Sequence, residues 1–334
     1  MKHANIPLFI PHLGCPHTCI FCNQRTISGN CGFSLEQTEQ TMHRALKTLG
    51  ERAGEIAFFG GSFTAIDRGL MCSLLKMAKE QKDKGRVQGI RLSTRPDCIN
   101  EEILDILEEY GVTSIELGIQ STDDEVLTAT GRGHDKNDSQ SACALITKRA
   151  RFSLVGQLML GLPCSTPEKE EQSARDICAW GADGTRIYPT AVLAGTPLAA
   201  LYQKGGYVPL SLEEGVARCA SLVRIFEEHH VKILRMGLCA EEGVSRDLLA
   251  GCYHPAFGEL VENRLFLEEI EKELEKIPPK KGKTYTVYVA KGALSKAIGQ
   301  KGSNKQQLSK QYGCLLRFAE KEGLGGRECA IEEG

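Results

Sequence analysis

The chain has 334 residues, of which 41% are hydrophobic and 25% charged, a composition typical of a globular protein and not of a disordered one. Its formal net charge is only −2, so composition alone indicates neither a nucleic-acid partner nor an acidic or basic surface. The length favours one large domain followed by a small one.

The hydropathy pattern predicts no membrane partner. No segment approaches the roughly 18 uninterrupted apolar residues of a membrane helix, and the first residues do not resemble a secretion signal. We therefore expect a cytoplasmic protein. Its 14 cysteines are then more consistent with metal or cluster binding than with disulfides, because cytosolic thiols are kept reduced.

Short runs of Val, Ile, Leu and Phe alternate with segments of helical period, which predicts βα units and a parallel sheet. The predicted strands are 6–10, 55–59, 89–94, 113–119, 152–160 and 185–188. The predicted helices between them are 34–49, 67–84, 100–110, 138–149 and 166–180. Repeated right-handed crossovers curl such a sheet into a partial (β/α)6 barrel of the TIM type, with function on the loops after the strands. A helix over 211–230 and a strand over 232–236 are expected at its edge.

The composition changes after the barrel. A helix over 259–276 carries seven Glu and ends before the two prolines that follow Ile277. From Ile277 to Ala319 the chain has nine Lys or Arg and no Asp or Glu. We therefore predict two domains, a barrel over residues 1–255 and a second domain over residues 256–334, composed of the acidic helix and a basic unit.

A cysteine motif follows the first predicted strand. Cys15, Cys19 and Cys22 have the spacing C-x3-C-x2-C. Three thiolates leave one iron of a [4Fe-4S] cluster open to another molecule. A zinc site completed by His12 or His17 is the alternative, although the second C-x2-C pair of a zinc ribbon is missing. The sequence favours the iron-sulfur cluster as a metal centre.

This motif resembles the signature of the radical S-adenosylmethionine (SAM) superfamily. The resemblance implies that SAM binds the open iron and is cleaved to a 5′-deoxyadenosyl radical, with electrons from a donor such as flavodoxin or ferredoxin. Ser93 stands where relatives commonly carry Glu for a ribose contact, and Cys31 is left open as a further ligand. The SAM-binding residues that the resemblance implies are Phe21, Gly60, Gly61, Ser62, Ser93, Gln120 and Arg132.

Three further stretches resemble the radical SAM core of the Elongator catalytic subunit, which modifies wobble uridines of tRNA at C5. The stretches are Ser93–Asp97, Glu116–Ser121 with Arg132–His134, and Ile187–Thr190 with Gly195-Thr196. The resemblance runs from about Ile6 to about Leu238. Fewer than a hundred residues follow, so we do not expect the acetyltransferase domain of that subunit, and acetyl-derived chemistry is not implied.

The basic segment reads as strand 284–289, helix 293–298, a GxxG loop, helix 303–312 and strand 314–318. This order resembles a KH domain, in which the loop holds a sugar-phosphate backbone against two helix N-termini. The resemblance implies salt-sensitive RNA binding by Gly299, Gln300, Lys301, Gly302 and Lys305. A lysine-rich, solvated helical hairpin is the alternative.

Three functions remain compatible with the sequence. The first is an enzyme that modifies RNA, with tRNA as the expected substrate. The second is a radical SAM enzyme for a small molecule, as in the oxygen-independent coproporphyrinogen oxidases. The third is a non-catalytic RNA-binding protein whose cluster senses iron or oxygen. The sequence favours the first, and it leaves the modified nucleotide, the added group and the oligomeric state open.

Overall fold

The computed structural model describes residues 4–10, 14–15, 19–23, 33–50, 54–238 and 242–334. His12, His17 and Cys31 lie outside these residues, so their proposed roles as further ligands stay untested. In the described ranges, no helix is both long enough and apolar enough to cross a membrane.

Seven parallel strands form one curved sheet in the order β1-β2-β3-β4-β5-β6-β8. They are β1 (Ala4–Ile10), β2 (Gly54–Gly60), β3 (Gly89–Thr94), β4 (Ser114–Gln120), β5 (Ser153–Leu160), β6 (Gly184–Pro189) and β8 (Lys232–Met236). The predicted α/β fold with a partial TIM-like barrel is therefore confirmed. The segment expected at the barrel's edge is its seventh strand, since β8 pairs in parallel with β6.

Helices cover the outer face of this sheet. They are α1 (Leu35–Leu49), α2 (Arg68–Asp83), α3 (Glu101–Glu109), α4 (Asp124–Ala129), α5 (Lys136–Thr147), α6 (Pro167–Ala179) and α8 (Leu212–Glu228). Alternate strand residues such as Ile56, Phe58, Ile115 and Leu117 point outward and form the main apolar core with these helices. The other strand residues point into the barrel, and they include the buried Arg91, Glu116 and Arg186.

Capping residues explain where the helices begin. The helices predicted to begin at Ser34 and Asn100 do begin there, because both side chains accept backbone hydrogen bonds as N-caps. The predicted start of a helix at Asp138 is wrong, because Asp135 caps α5 and Asp138 closes a capping box three residues later. The short helix α4 was not predicted, since its six residues are fewer than two helical turns.

A small extension lies beside the barrel. It contains β7 (Ala191–Leu193), α7 (Pro197–Gln203), α9 (Glu242–Asp247) and β9 (Leu248–Gly251), and β7 pairs with β9 in antiparallel fashion. None of these four elements was predicted from the sequence. Each is at most seven residues long, too short to show a clear hydrophobic period.

The chain ends in a three-stranded mixed sheet with the order β11-β10-β12. Its elements are β10 (Thr284–Val289), α11 (Leu294–Ile298), α12 (Ser303–Tyr312), β11 (Leu315–Glu320) and β12 (Cys329–Glu333). β10 is parallel to β11 and antiparallel to β12. The structure therefore contains each predicted strand and helix of this segment, and it adds β12.

The acidic helix α10 (Phe257–Lys276) packs on both parts of the molecule. Its first half contributes Val261 and Leu265 to the barrel core. Its second half contributes Phe266 and Ile270 to a separate core beneath the three-stranded sheet. The helix is thus common to both cores, and the boundary between residues 255 and 256 stays a prediction.

Candidate active site

The cysteine loop leaves β1 at the carboxyl ends of the strands. Cys19 is 7% exposed, and its sulfur accepts a hydrogen bond of 3.1 Å from Nη1 of Arg132. Desolvation raises the pKa of the Cys15 thiol, whereas a hydrogen bond to the Ser62 backbone and the guanidiniums of Arg95 and Arg132 act in the opposite direction. The loop thus places the Cys15 thiol beside two guanidiniums, but burial outweighs them and holds its pKa above the ordinary value.

Backbone hydrogen bonds hold the cysteine loop from two sides. The Ile20 N–H donates to the Thr130 carbonyl at 3.1 Å, and the Ile20 carbonyl accepts from the Leu198 N–H at 2.9 Å. The Asn23 side chain donates to the Ala194 carbonyl at 3.2 Å. The loop is thus fixed between the turn after α4 and the small extension that holds α7.

Phe21, which the resemblance implies as a neighbour of the adenine, is half-buried between two apolar clusters. One cluster contains Val192 and Leu198 of the extension. The other contains Val126 and Met159 of the barrel. The ring therefore anchors the loop next to Cys22, and its contact with a cofactor stays a prediction.

Close backbone packing explains the glycines of the second strand's turn. Gly60 has φ +113°, and a Cβ there would lie 2.9 Å from the Ile10 carbonyl oxygen. The Gly61 N–H donates to that same carbonyl at 2.9 Å. A Cβ on Gly14 would lie 2.2 Å from the Ser62 carbonyl oxygen. Only residues without side chains allow the cysteine loop and this turn to approach so closely.

Ser62 ties this turn to the end of β3. It is 1% exposed, and its hydroxyl lies 3.0 Å from Oγ1 of Thr94 and accepts from the Arg95 N–H at 3.2 Å. The hydroxyl is thus engaged within the chain. A direct contact of Ser62 with SAM stays a prediction, and the observed role is to position the neighbouring strand end.

Buried polar groups converge on the barrel mouth. Gln120, Arg132 and Arg95 are 5%, 6% and 4% exposed, and Arg95 is held by a bidentate ion pair with Asp97 at 2.9 and 3.0 Å. Arg95 also donates to the Arg132 carbonyl. Among the described residues, three of their atoms have no hydrogen-bond partner, namely Oε1 of Gln120, Nε of Arg132 and Nη1 of Arg95. Buried atoms of this kind normally have partners, so the mouth is built for a polar ligand.

The donor set at this mouth fits a cluster with bound SAM. Among the described residues, no three His, Cys, Asp or Glu side chains are grouped closely enough to hold a metal ion. The chemistry is nevertheless suitable, because a thiol-bearing loop lies against guanidinium and amide groups that each keep one atom without a partner among the described residues. Such groups can bind the carboxylate and ribose hydroxyls of SAM. The ligand roles of Cys15, Cys19 and Cys22 stay a prediction.

A buried ion pair lies deeper in the barrel. Nε of Arg186 donates to Oε2 of Glu116 at 2.7 Å, although β4 and β6 are not neighbours in the sheet. Burial raises the pKa of Glu116, and the guanidiniums of Arg186 and Arg91 act against that shift, as does the hydroxyl of Ser93. Sequence reasoning named Ser93 but missed Arg186. A charged residue in the middle of a buried strand is unusual, and this signal could have identified Arg186.

His134 is neutral at ordinary pH. It is 5% exposed, and burial together with the cations of Arg132 and Arg95 lowers its pKa to about 3. One ring nitrogen lies 3.3 Å from the Ile119 carbonyl oxygen. The residue therefore supports the strand end next to Gln120 without adding charge to the mouth.

The GxxG loop at the other end of the molecule is a tight turn. Gly299, Lys301 and Gly302 all have positive φ, of +81°, +55° and +79°. A Cβ on Gly299 would lie 2.5 Å from Oγ of Ser303 and 2.8 Å from the Asn304 backbone nitrogen. Glycine is thus required at the first position by the packing of the turn on α12.

Two buried asparagines fasten this loop to α10. Nδ2 of Asn304 donates to the carbonyls of Asn263 and Ala297 at 2.7 and 3.1 Å. In its correct amide orientation, the Asn263 side chain accepts from the Gln300 N–H at 3.0 Å and donates to the Lys296 carbonyl at 3.0 Å. The loop's position is therefore set by the helix that also packs on the barrel.

The basic charge of the tail is partly neutralised in three dimensions. Lys296 lies 3.7 Å from Glu262, and Lys283 lies 3.4 Å from Glu333, both acids outside the basic stretch. The sequence-based view of nine uncompensated cations is thus wrong, because it ignored acids that fold back onto the stretch. Within the part of the chain that the structure describes, Lys301 and Lys305 are exposed and have no ion pair.

Two family models cover most of the chain. The model of the radical SAM superfamily matches residues 9–177, and the model of the radical SAM C-terminal domain matches residues 182–266. The first model spans half of the chain. It includes the cysteine motif, the Gly60-Gly61 turn, Gln120 and Arg132. The second ends within α10, where that helix passes from one core to the other.

Curated relatives agree with this assignment. An uncharacterized protein of Methanocaldococcus jannaschii is 33% identical over 242 residues, which are 68% of this chain and 72% of that protein. The tRNA uridine(34) acetyltransferase of Dehalococcoides mccartyi is 25% identical over 59% of this chain and 50% of its own length. Human Elongator complex protein 3 is 30% identical over 55% of this chain and 38% of its own length. The chain thus spans half or less of these last two relatives.

A solved structure has the same fold. The archaeal Elp3 of Methanocaldococcus infernus superposes with a TM-score of 0.64 at 20% identity, covering 82% of this chain and 63% of that one. The seven-stranded sheet, the thiol-bearing loop and the matched family models lead to one assignment. The chain belongs to the radical SAM superfamily, whose members bind a [4Fe-4S] cluster and S-adenosylmethionine.

Proposed function

We propose that this protein is a radical SAM enzyme that modifies RNA, with tRNA as its substrate class. The observation that carries the proposal is the GxxG turn with the exposed, unpaired Lys301 and Lys305, mounted on the same helix α10 that packs on the barrel. The similarity to relatives named for tRNA uridine modification and for Elongator supports the same substrate class.

The barrel mouth would hold the cofactors. Cys15, Cys19 and Cys22 would bind the cluster, with the Arg132 guanidinium donating a hydrogen bond to the Cys19 sulfur. The unpartnered atoms of Gln120, Arg132 and Arg95 would bind polar groups of SAM. When bound, the cluster supplies the electron for reductive cleavage of SAM. Phe21 and the backbone of Gly60 and Gly61 would border the same ligand.

The three-stranded unit would act as a KH-like RNA-binding domain over residues 256–334. In the GxxG turn, a Cβ on Gly302 would have only the Gln306 side chain within 4 Å, so a sugar-phosphate backbone could approach the turn there, next to Gln300 and Lys301. Lys301 and Lys305 would contact phosphates as solvated point charges. Recognition by backbone and charge gives affinity, and it leaves the choice of nucleotide to the barrel.

The proposal can be tested by RNA binding as a function of salt. The reconstituted protein should bind an unmodified tRNA transcript, with log affinity falling linearly with log salt concentration. The Lys301→Ala, Lys305→Ala variant should lower the magnitude of this slope by about 1.5, because each phosphate contact contributes about 0.7 to 0.9. SAM cleavage stimulated by the transcript should decrease in parallel.

A matched control is available on α10. Lys272 and Lys276 pair with Glu269 and Glu273 on their own helix. The Lys272→Ala, Lys276→Ala variant therefore removes two positive charges that are not part of the GxxG loop. It should leave the slope unchanged. The proposed function would be overturned, in favour of a small-molecule substrate, if the wild-type protein bound no tRNA at moderate salt. The same conclusion would follow if the Lys301→Ala, Lys305→Ala variant bound tRNA with the affinity and salt slope of the wild type.

A further inference from the structure

The tail, residues 277–334, contacts the barrel through Arg327 as well as through α10. The helix contributes apolar side chains to both cores. Arg327 lies in the connection between β11 and β12, and its Nη2 donates to the carboxylate of Glu227 in the last turn of α8. A single helix allows rotation of the tail about the helix axis. A second contact away from that axis fixes the orientation.

Hydrogen bonds within this connection hold Arg327 in place. The Glu328 N–H donates to the Gly325 carbonyl at 2.9 Å, and the Glu328 carboxylate accepts from the Gly325 N–H at 2.8 Å. At the start of the connection, the Lys321 N–H donates to the Val289 carbonyl at the end of β10, at 2.9 Å. The turn that carries Arg327 is therefore closed by its own hydrogen bonds, which lowers the entropy lost when the side chain reaches α8.

Carboxylates extend this contact into a network. Nη1 of Arg327 lies 3.3 Å from Oε1 of Glu262 on α10, and Oε2 of Glu262 lies 3.7 Å from Nζ of Lys296 on α11. The Arg327 and Glu262 side chains are 20% and 19% exposed, so salt screens this pair less than a pair on the open surface. Glu227 stands at the negative end of the α8 dipole, where a cation from another segment is favourable. The network thus runs from a barrel helix to the helix that precedes the GxxG loop.

The next residue of α10 continues the path to the loop. Asn263 follows Glu262, and its side-chain oxygen accepts from the Gln300 N–H at 3.0 Å. The Asn263 carbonyl accepts from Nδ2 of Asn304 at 2.7 Å. The GxxG loop is therefore fixed to the same turn of α10 that receives Arg327, and its position relative to the barrel also depends on the contact of Arg327 with α8.

An open cleft surrounds the contact between Arg327 and Glu227. Its volume is about 810 Å³, and its walls include Phe266 on α10, Ala290 after β10 and Cys329 on β12. The cleft keeps the end of α8 apart from the end of β10, so Arg327 reaches the barrel across an open space. Loss of this side chain would leave α10 to hold the tail at this side of the molecule.

We propose that Arg327 is a positioning residue that sets the orientation of the GxxG loop relative to the barrel mouth. The inference rests on the proposed function and deepens it. The loop would hold one part of the RNA backbone, and the orientation of the tail would then decide which nucleotide of the bound tRNA reaches the mouth. Arg327 would act through this orientation and not through contact with the RNA.

Pulsed electron–electron double resonance tests the orientation without RNA. Spin labels are attached to non-natural residues introduced at the exposed positions of Lys76 on α2 and Lys310 on α12, and the reconstituted protein is measured with its cluster oxidised. Wild-type protein should give one narrow distribution of distances, and Arg327→Ala should broaden it. Glu227→Gln removes the barrel end of the contact at a side chain that is 45% exposed, and it should broaden the distribution in the same way.

SAM cleavage stimulated by a tRNA transcript tests the consequence. Arg327→Ala should keep the unstimulated rate and should bind the transcript within about twofold of wild type, because Lys301 and Lys305 remain. The maximal stimulated rate should fall by about fivefold, the upper range for loss of a partly exposed ion pair. Arg327→Lys keeps the positive charge and should restore most of this rate.

Lys321→Ala is the matched control for Arg327→Ala. It removes one cation from the same connection and breaks the ion pair of Lys321 with Glu332 inside the tail, so neither the distances nor the stimulated rate should change. The inference alone would be overturned if Arg327→Ala left the distances unchanged, or if it broadened them without lowering the stimulated rate. Wild-type protein that binds no tRNA would overturn the proposed function, and the inference with it.

Discussion

The polar side chains of the barrel mouth and those of the GxxG loop differ in exposure and in hydrogen bonding. At the mouth, Gln120 and Arg132 are at most 6% exposed and keep atoms without a partner. At the loop, Lys301 and Lys305 are exposed, and the amide groups of the buried Asn263 and Asn304 behind them make hydrogen bonds to the backbone. Buried, incompletely paired groups give chemical specificity, whereas exposed cations give affinity that salt can screen.

The largest effect should come from the cysteine loop. Cys19→Ala removes the buried thiol that Arg132 contacts, and we expect loss of both cluster binding and SAM cleavage. Iron content, the visible absorption of the reconstituted protein and the formation of 5′-deoxyadenosine from SAM measure this outcome. Cys178→Ala is the matched control, because Cys178 is a half-buried thiol in α6 that packs on the outer core. Equal loss in both variants would argue against a special role for Cys19.

The next effect should come from the buried ion pair between Glu116 and Arg186. Glu116→Ala leaves the Arg186 guanidinium buried without its partner, which we expect to lower the free energy of unfolding by about 3 to 5 kcal/mol. Urea denaturation of the purified protein measures this change. Glu125→Ala breaks an exposed ion pair with Lys169 on the barrel surface and should cost less than about 1 kcal/mol.

A double variant sharpens that comparison. Glu116→Leu with Arg186→Met replaces the buried pair by apolar side chains, and we expect it to regain most of the stability that Glu116→Ala loses. A double variant as unstable as Glu116→Ala would show that the unpaired charge is not what destabilises the single variant.

The sequence predicted the barrel well because each long element carries a clear period. The strand over 89–94 agrees with the structure residue for residue, and the helices predicted to begin at Ser34 and Asn100 are capped by those residues. Local signals of this kind are complete within about 15 residues of chain. The short elements of the extension, with at most seven residues each, have too few turns to show a period.

Contacts between distant segments could not be predicted. The pairing of Glu116 with Arg186 joins residues 70 positions apart, and the neutralisation of Lys296 by Glu262 joins two separately read helices. The number of Lys and Arg in the basic stretch therefore overestimates the net positive charge of the folded domain, because acids from other segments pair with some of them. The asparagines behind the GxxG loop were missed for the same reason, since one lies in the acidic helix and the other in the basic stretch.

The smallest effect should come from these asparagines. Asn304→Leu keeps the volume of the side chain but leaves the carbonyls of Asn263 and Ala297 without their donor, which should cost about 1 to 3 kcal/mol of stability. The exposed Gln307 on the same helix supplies a control, Gln307→Leu, that should leave both stability and RNA affinity unchanged. Because Asn304→Leu removes no cation, it should weaken tRNA binding without changing the salt slope. A lowered salt slope would mean that Lys301 and Lys305 need Asn304 for their phosphate contacts. The buried hydrogen bonds of Asn304 would then hold the loop in the conformation that binds RNA.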